Sequence, residues 1–79
     1  MRLDKYLKVS RIIKRRTIAN EACDAGRDIV NGKPARASYD IKVGDIIEIS
    51  FGAKYFKAEV ITVTEVVKKE EAALMYRII

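Results

Sequence analysis

In LDKYLKV, residues 3 to 9, Leu3, Tyr6 and Leu7 stand at i, i+3 and i+4, the spacing of one apolar helix face. Arg2, Lys5, Lys8 and Arg11 step by threes along a neighbouring face, so the pattern predicts a helix that is apolar inward and cationic outward. A second periodic run follows in TIANEACDA. Ile18, Ala19, Ala22 and Cys23 form its predicted inner face, Thr17 is its expected first residue, and Gly26 is its left-handed stop. From residue 28 the period shortens to two. DIV leads into Asn31-Gly32, a hairpin signal because both central residues tolerate positive φ, and Pro34 confines the return strand to a sheet edge. A turn at Val43-Gly44-Asp45 precedes the strand IIEISF, residues 46 to 51. YFKAEVITVTEVV, residues 55 to 67, reads as one longer strand, and its apolar phase shifts from Phe56, Ala58 and Val60 to Ile61 and Val63, which predicts a bulge. KKEEAA is a turn or one frayed helical turn, and LMYRII, residues 74 to 79, is the closing strand. The expected fold is α+β, with two N-terminal helices packed on one face of an antiparallel sheet of about five strands.

Composition narrows what such a fold can do. A chain of 79 residues is expected to form a single domain and to bury roughly 60% of its unfolded surface, too little for a deep catalytic cleft. At 49% hydrophobic and 34% charged, with no apolar stretch long enough to span a bilayer or to open a signal peptide, it reads as a soluble cytoplasmic protein without a membrane contact. One cysteine and no histidine exclude an intrachain disulfide and a Cys/His zinc site, and nothing in the sequence asks for a cofactor. Cys23 reads as a small buried apolar side chain.

Charge points toward a partner. The net charge of +5 lies wholly in residues 1 to 40, where ten cations face five acids; six of each cancel in residues 41 to 79. Such polarisation is the footprint of a polyanion, with solubility alone as the plainer alternative. Lys14, Arg15 and Arg16 stand where the second helix should begin, opposing the positive end of its dipole. A phosphate held by those arginines and by the free amides of the helix start would turn that repulsion into attraction.

Four fragments in this order carry a family resemblance: RLDKYL, then the basic patch running into TIA, then Gly26-Arg27 leading to IVNGK, then VGDIIEI. Together they resemble the RNA-binding domain of small-subunit ribosomal protein S-four, the αL motif, over residues 2 to about 50, with residues 51–79 as a strand-rich extension. Many members have Ser-Arg where Arg15-Arg16 stand, so a helix-capping serine is replaced here by a further cation. The short chain is similar to the fifteen-kilodalton heat-shock group, and more so to the compact RqcP-like factors of ribosome-associated quality control. The resemblance implies a non-enzymatic module that binds obstructed large ribosomal subunits through rRNA and peptidyl-tRNA. It also implies support for alanine tailing of stalled chains by a NEMF/RqcH-type partner.

The residue types give an expected contact set. Arg2, Lys5, Arg11, Lys14, Arg15 and Arg16 are candidate phosphate ligands, Arg2 and Arg16 foremost by the family pattern. Ser10, Thr17 and Asn20 are candidate donors to phosphate or ribose, with helix capping or simple solvation as the alternative for each. Lys33, Arg36 and Ser38 extend the patch beyond the hairpin. Asp4 is expected to support the first helix's dipole or to hold a neighbouring arginine, and Tyr6 to belong to the core. A heat-shock-type recycling factor, the RNA-binding part of an RNA-modifying enzyme, and an adaptor using a sheet edge remain as alternatives. No heptad seam predicts an oligomer, so a monomer is expected.

Overall fold

The computed structural model describes residues 1–51, 53–65 and 67–79. Helix α1 spans Leu3–Val9 and α2 spans Arg16–Asp24. The strands are β1 (Asp28–Val30), β2 (Lys33–Pro34), β3 (Ile46–Phe51), β4 (Lys54–Val60) and β5 (Tyr76–Ile78), with a 3-10 helix at Lys69–Met75 ahead of the last. All pairings are antiparallel, in the order β2-β1-β3-β4-β5, so the five-stranded sheet expected from the sequence is the one that forms.

Helix α1 buries Leu3, Tyr6 and Leu7 completely, as its periodicity requires. Across from it α2 contributes Ala19, Ala22 and Cys23, whose small side chains admit a close approach of the two helices. Ile18 does not join them; it is 41% exposed. It lies one residue, about 100° of helix rotation, off the Ala19/Ala22/Cys23 face, so the expectation that placed it inward is corrected. The stop is as read: Gly26 has φ 76°, its amide donates to the Cys23 carbonyl and that of Arg27 to the Ala22 carbonyl, a Schellman closure.

The sheet's inner row follows from register. Val30 faces Ile47, Ile47 faces Ala58, and Ile49 faces Phe56, so alternate residues of three strands meet under the helices. Asn31 and Gly32 take φ 53° and 83°, the pair of positive values a two-residue hairpin turn needs, and β2 with Pro34 is an edge. The same alternation turns Asp28 inward, opposite Ile49, where it is fully buried.

The long strand expected over 55–67 is corrected: β4 ends at Val60. The amides of Ile61 and Thr62 both donate to the Met75 carbonyl, at 2.8 and 3.1 Å, so the chain turns there. Two successive amides sharing one carbonyl is the bonding of a bulge, so the apolar phase shift marks a bulge-like step at which the strand ends; Val66 lies outside the described residues. The closing strand is likewise shorter than 74–79, because Leu74 and Met75 belong to the 3-10 helix. Met75 is buried, and its carbonyl also accepts the Tyr6 hydroxyl at 2.7 Å, tying the C-terminal elements to α1.

Candidate nucleic-acid interface

The two helix starts are built differently. At α1 the amides of Leu3 and Asp4 donate to the carbonyls of Tyr39 and Ala37, at 2.8 and 3.2 Å, and that of Lys5 donates to the Asp4 carboxylate at 2.8 Å. The loop that supplies those carbonyls is pinned by buried Ala35 and Ala37, with Arg36 and Ser38 alternating outward between and beyond them. An Arg2–Asp40 bridge fastens its far side. This helix start is closed. At α2 the N-cap is Arg15, which has no oxygen to offer, and no side chain caps the helix. The helix begins at Arg16, one residue before the expected Thr17. The first amides of α2 are left to solvent or to an anion.

Asp4 links the two helix starts. It is 2% exposed, at the base of an open groove lined by Arg2, Arg16, Thr17, Asn20 and Glu21. Its Oδ1 accepts from Arg2 Nε at 3.1 Å, and its Oδ2 from Asn20 Nδ2 at 3.2 Å and Arg16 Nε at 3.5 Å. Burial pushes this carboxyl's pKa up, but the hydrogen bonds from Arg2, Asn20 and the Lys5 amide, with the Arg16 charge, outweigh it and hold the carboxyl below the usual range. Both guanidiniums are engaged through Nε, that of Arg2 also through Nη2 at 3.4 Å, while their side chains stay about half exposed, at 50% and 47%. The remaining terminal nitrogens of the two forks can serve a ligand in the groove.

The expected residues divide accordingly. Arg2, Arg16, Thr17 and Asn20 share one groove, and exposed Arg15 flanks it. Arg36 and Ser38 are exposed on the loop that caps α1. Lys33 is exposed on the edge strand β2 and lines neither cationic groove. Lys5 is paired with Glu65 at 3.5 Å. Arg11 and Lys14 line a second groove, together with Lys8, which the expected set omitted. Ser10 is corrected: it is 1% exposed and donates to the Leu7 carbonyl at 3.3 Å, so the close of α1 absorbs its hydroxyl and RNA cannot reach it. The sequence reading allowed Asp4 a single neighbouring arginine and missed that it holds two. The available signal was a lone acid in an otherwise cationic segment. Tyr6 is core, as expected. Cys23 is buried and donates to Asp28 Oδ2 at 2.9 Å; burial raises its thiol pKa far above the ordinary value.

The S4 domain family model matches residues 1–47. Over 79 residues the chain is 58% identical to a Streptococcus pneumoniae protein named RQC P-site tRNA stabilizing factor, covering all of this chain and 90% of that one. The Bacillus subtilis protein of the same name is 53% identical over 79 residues, with coverage of 100% and 92%. The trimeric structure of Vibrio cholerae Heat Shock Protein 15 superposes with a TM-score of 0.92 over the whole chain and 81% of its own length, at 26% identity.

Proposed function

The chain belongs to the S4-domain family, and on that premise we propose that it is a non-catalytic RNA-binding factor of ribosome-associated quality control. It grips phosphate backbone at the start of α2, with Arg2, Arg15 and Arg16 as the charged ligands and Thr17 and Asn20 as neutral donors. The carrying observation is the uncapped start of α2 beside two guanidiniums oriented by one buried carboxylate. Such a site presents fixed donors along an open groove, so it reads backbone and shape rather than sequence. Arg36 and Ser38 extend the contact on the loop above α1, and Lys33 reaches further along the edge strand. The relatives' shared name supports a tRNA held in the ribosomal P site as one ligand; large-subunit rRNA is the other. Subunits blocked by peptidyl-tRNA are then the physiological target, the chain acts as a monomer, and alanine tailing by a NEMF/RqcH-type partner is the process it supports.

Substituting Arg16→Ala tests the grip. One lost phosphate contact lowers the slope of log K against log salt by about 0.7–0.9, and does so for every RNA sequence. An unchanged slope in a folded variant removes Arg16 from the contact. Gradient sedimentation tests the setting: wild type should travel with large subunits that still carry tRNA, and Arg2→Ala/Arg16→Ala should stay at the top. The likeness to Heat Shock Protein 15 favours a second reading, subunit recycling under heat stress. Association with tRNA-bearing subunits only after heat shock, with alanine tailing unaffected by loss of the protein, would select it.

A further inference from the structure

Arg11 has φ 63° and, among the described residues, is the only one other than glycine or asparagine at positive φ. It stands just past the Ser10 C-cap of α1, and its amide donates to the Lys8 carbonyl at 3.1 Å. Glycine is the ordinary residue at this left-handed position, because a side chain there crowds the following carbonyl. A cation is thus kept where the backbone favours its absence, and strain of that kind marks functional positions.

What surrounds Arg11 says what the cation does. It lines a groove with Lys8, Val9, Lys14, Glu65 and Val67, between the close of α1 and the segment that follows β4. Lys8, Arg11 and Lys14 are all exposed, and none has an ion pair among the described residues. The one acid of the groove, Glu65, is paired with Lys5 at 3.5 Å, so it leaves the three cations uncompensated. The groove shares no residue with the one at Arg2 and Arg16, and Lys8 lies about 9 Å of helix rise beyond Arg2. Exposed Arg15 joins the two cation groups along the chain.

We infer that Lys8, Arg11 and Lys14 form a second phosphate-binding groove, which takes RNA backbone in addition to the strand held at the start of α2. The inference rests on the RNA-binding reading above and adds to it Lys8 and a strained backbone held in place for Arg11.

Stability and binding should move apart in Arg11→Gly. Glycine relieves the left-handed strain, so the thermal midpoint should equal or exceed that of wild type. Affinity for a fluorescein-labelled RNA hairpin, measured by anisotropy over a salt series, should fall several-fold, with the slope of log K against log salt lower by about 0.7–0.9. Lys8→Ala/Lys14→Ala should lower the slope by roughly twice that amount. Lys69→Ala, which removes one charge from the 3-10 helix, should leave it unchanged. An Arg11→Gly variant of undiminished midpoint and wild-type slope overturns the proposal, as does a Lys69→Ala variant that loses as much slope as Arg11→Gly. Failure of wild type to bind the hairpin overturns the RNA-binding reading itself. Sensitivity to Arg16→Ala with indifference at Lys8, Arg11 and Lys14 overturns only the second groove.

Discussion

Asp4→Asn removes one charge and almost no volume, and so separates the holding of the arginines from their presence. Oδ1 accepts the tighter bonds, from the Lys5 amide at 2.8 Å and Arg2 Nε at 3.1 Å, so the asparagine oxygen takes that side. Its NH₂ then faces Arg2 Nη2 and Arg16 Nε, donors that were 3.4 and 3.5 Å from Oδ2 and lose that acceptor, while Asn20, 3.2 Å away, can turn its amide oxygen toward the new NH₂. Both arginines are about half exposed, so water takes over much of what the carboxylate supplied. The stability cost is accordingly about 1 kcal/mol, less than for a fully buried pair. For a chain of this size that lowers the thermal midpoint by about 4–8 °C. Binding suffers more. Two side chains released in the free protein must be ordered again on RNA, at about 0.5–1.5 kcal/mol each. Loss of the negative charge works the other way, by at most about 0.7 kcal/mol for charges about 6 Å apart in water, and by less after salt screening. Orientation wins, and affinity should fall roughly 2- to 50-fold. The assay is anisotropy with a labelled RNA hairpin over a salt series, beside a thermal melt of the same preparation. The salt slope should match that of wild type because no cation has been removed, in contrast to Arg16→Ala. A folded Asp4→Asn protein that binds as tightly as wild type, or more tightly, would refute the reasoning: the carboxylate would then be only a charge that RNA must overcome.

Two further predictions concern the core. Asp28 is fully buried, its Oδ1 has no partner, and burial raises its pKa against the opposing hydrogen bond from Cys23. A raised native pKa contributes stability that is complete below the unfolded value of about 3.9 and is lost as pH rises through the native one. The midpoint of Asp28→Asn relative to wild type should therefore climb as pH is raised from about 4 to neutral, and a difference independent of pH would show the carboxyl to be ionised in the fold. Tyr6→Phe deletes the hydroxyl bond to the Met75 carbonyl, which keeps the Ile61 and Thr62 amides as donors. The cost should be about 1 kcal/mol, with faster amide exchange at Tyr76–Ile78; unchanged exchange there would deny that this bond tethers β5.

Much of the architecture was legible because it is set by neighbours in the chain. The i, i+3, i+4 spacing of Leu3, Tyr6 and Leu7, the positive-φ pair Asn31-Gly32, the stop at Gly26 and the alternation through residues 46 to 51 each specify local conformation without reference to the rest of the molecule. The polarised charge is likewise a property of the sequence and called for a polyanion before any fold was known.

Where local signals were balanced, packing decided. Residues 61 to 65 and 67 are richer in β-branched side chains than β4, yet the strand stops at Val60, because the Ile61 and Thr62 amides share the one carbonyl of Met75, fourteen positions on from Ile61, and the ladder loses its register. Ile18 is apolar enough for the core and lies outside it, since the face that α2 turns inward is that of Ala19, Ala22 and Cys23. Ser10 carries the hydroxyl of an RNA ligand and spends it on the Leu7 carbonyl. The sequence by itself determined the two helices, the hairpin, the strand that opens at residue 46 and which half of the chain is cationic, for those depend on side-chain period and composition. Only the tertiary structure decided that one carboxylate on α1 would orient arginines from both sides of the groove, and that the start of α2 would stay open while that of α1 was closed. Those outcomes depend on groups far apart in the chain, such as Ala37 and Tyr39 over Leu3 and Asp4, whose meeting no local pattern encodes.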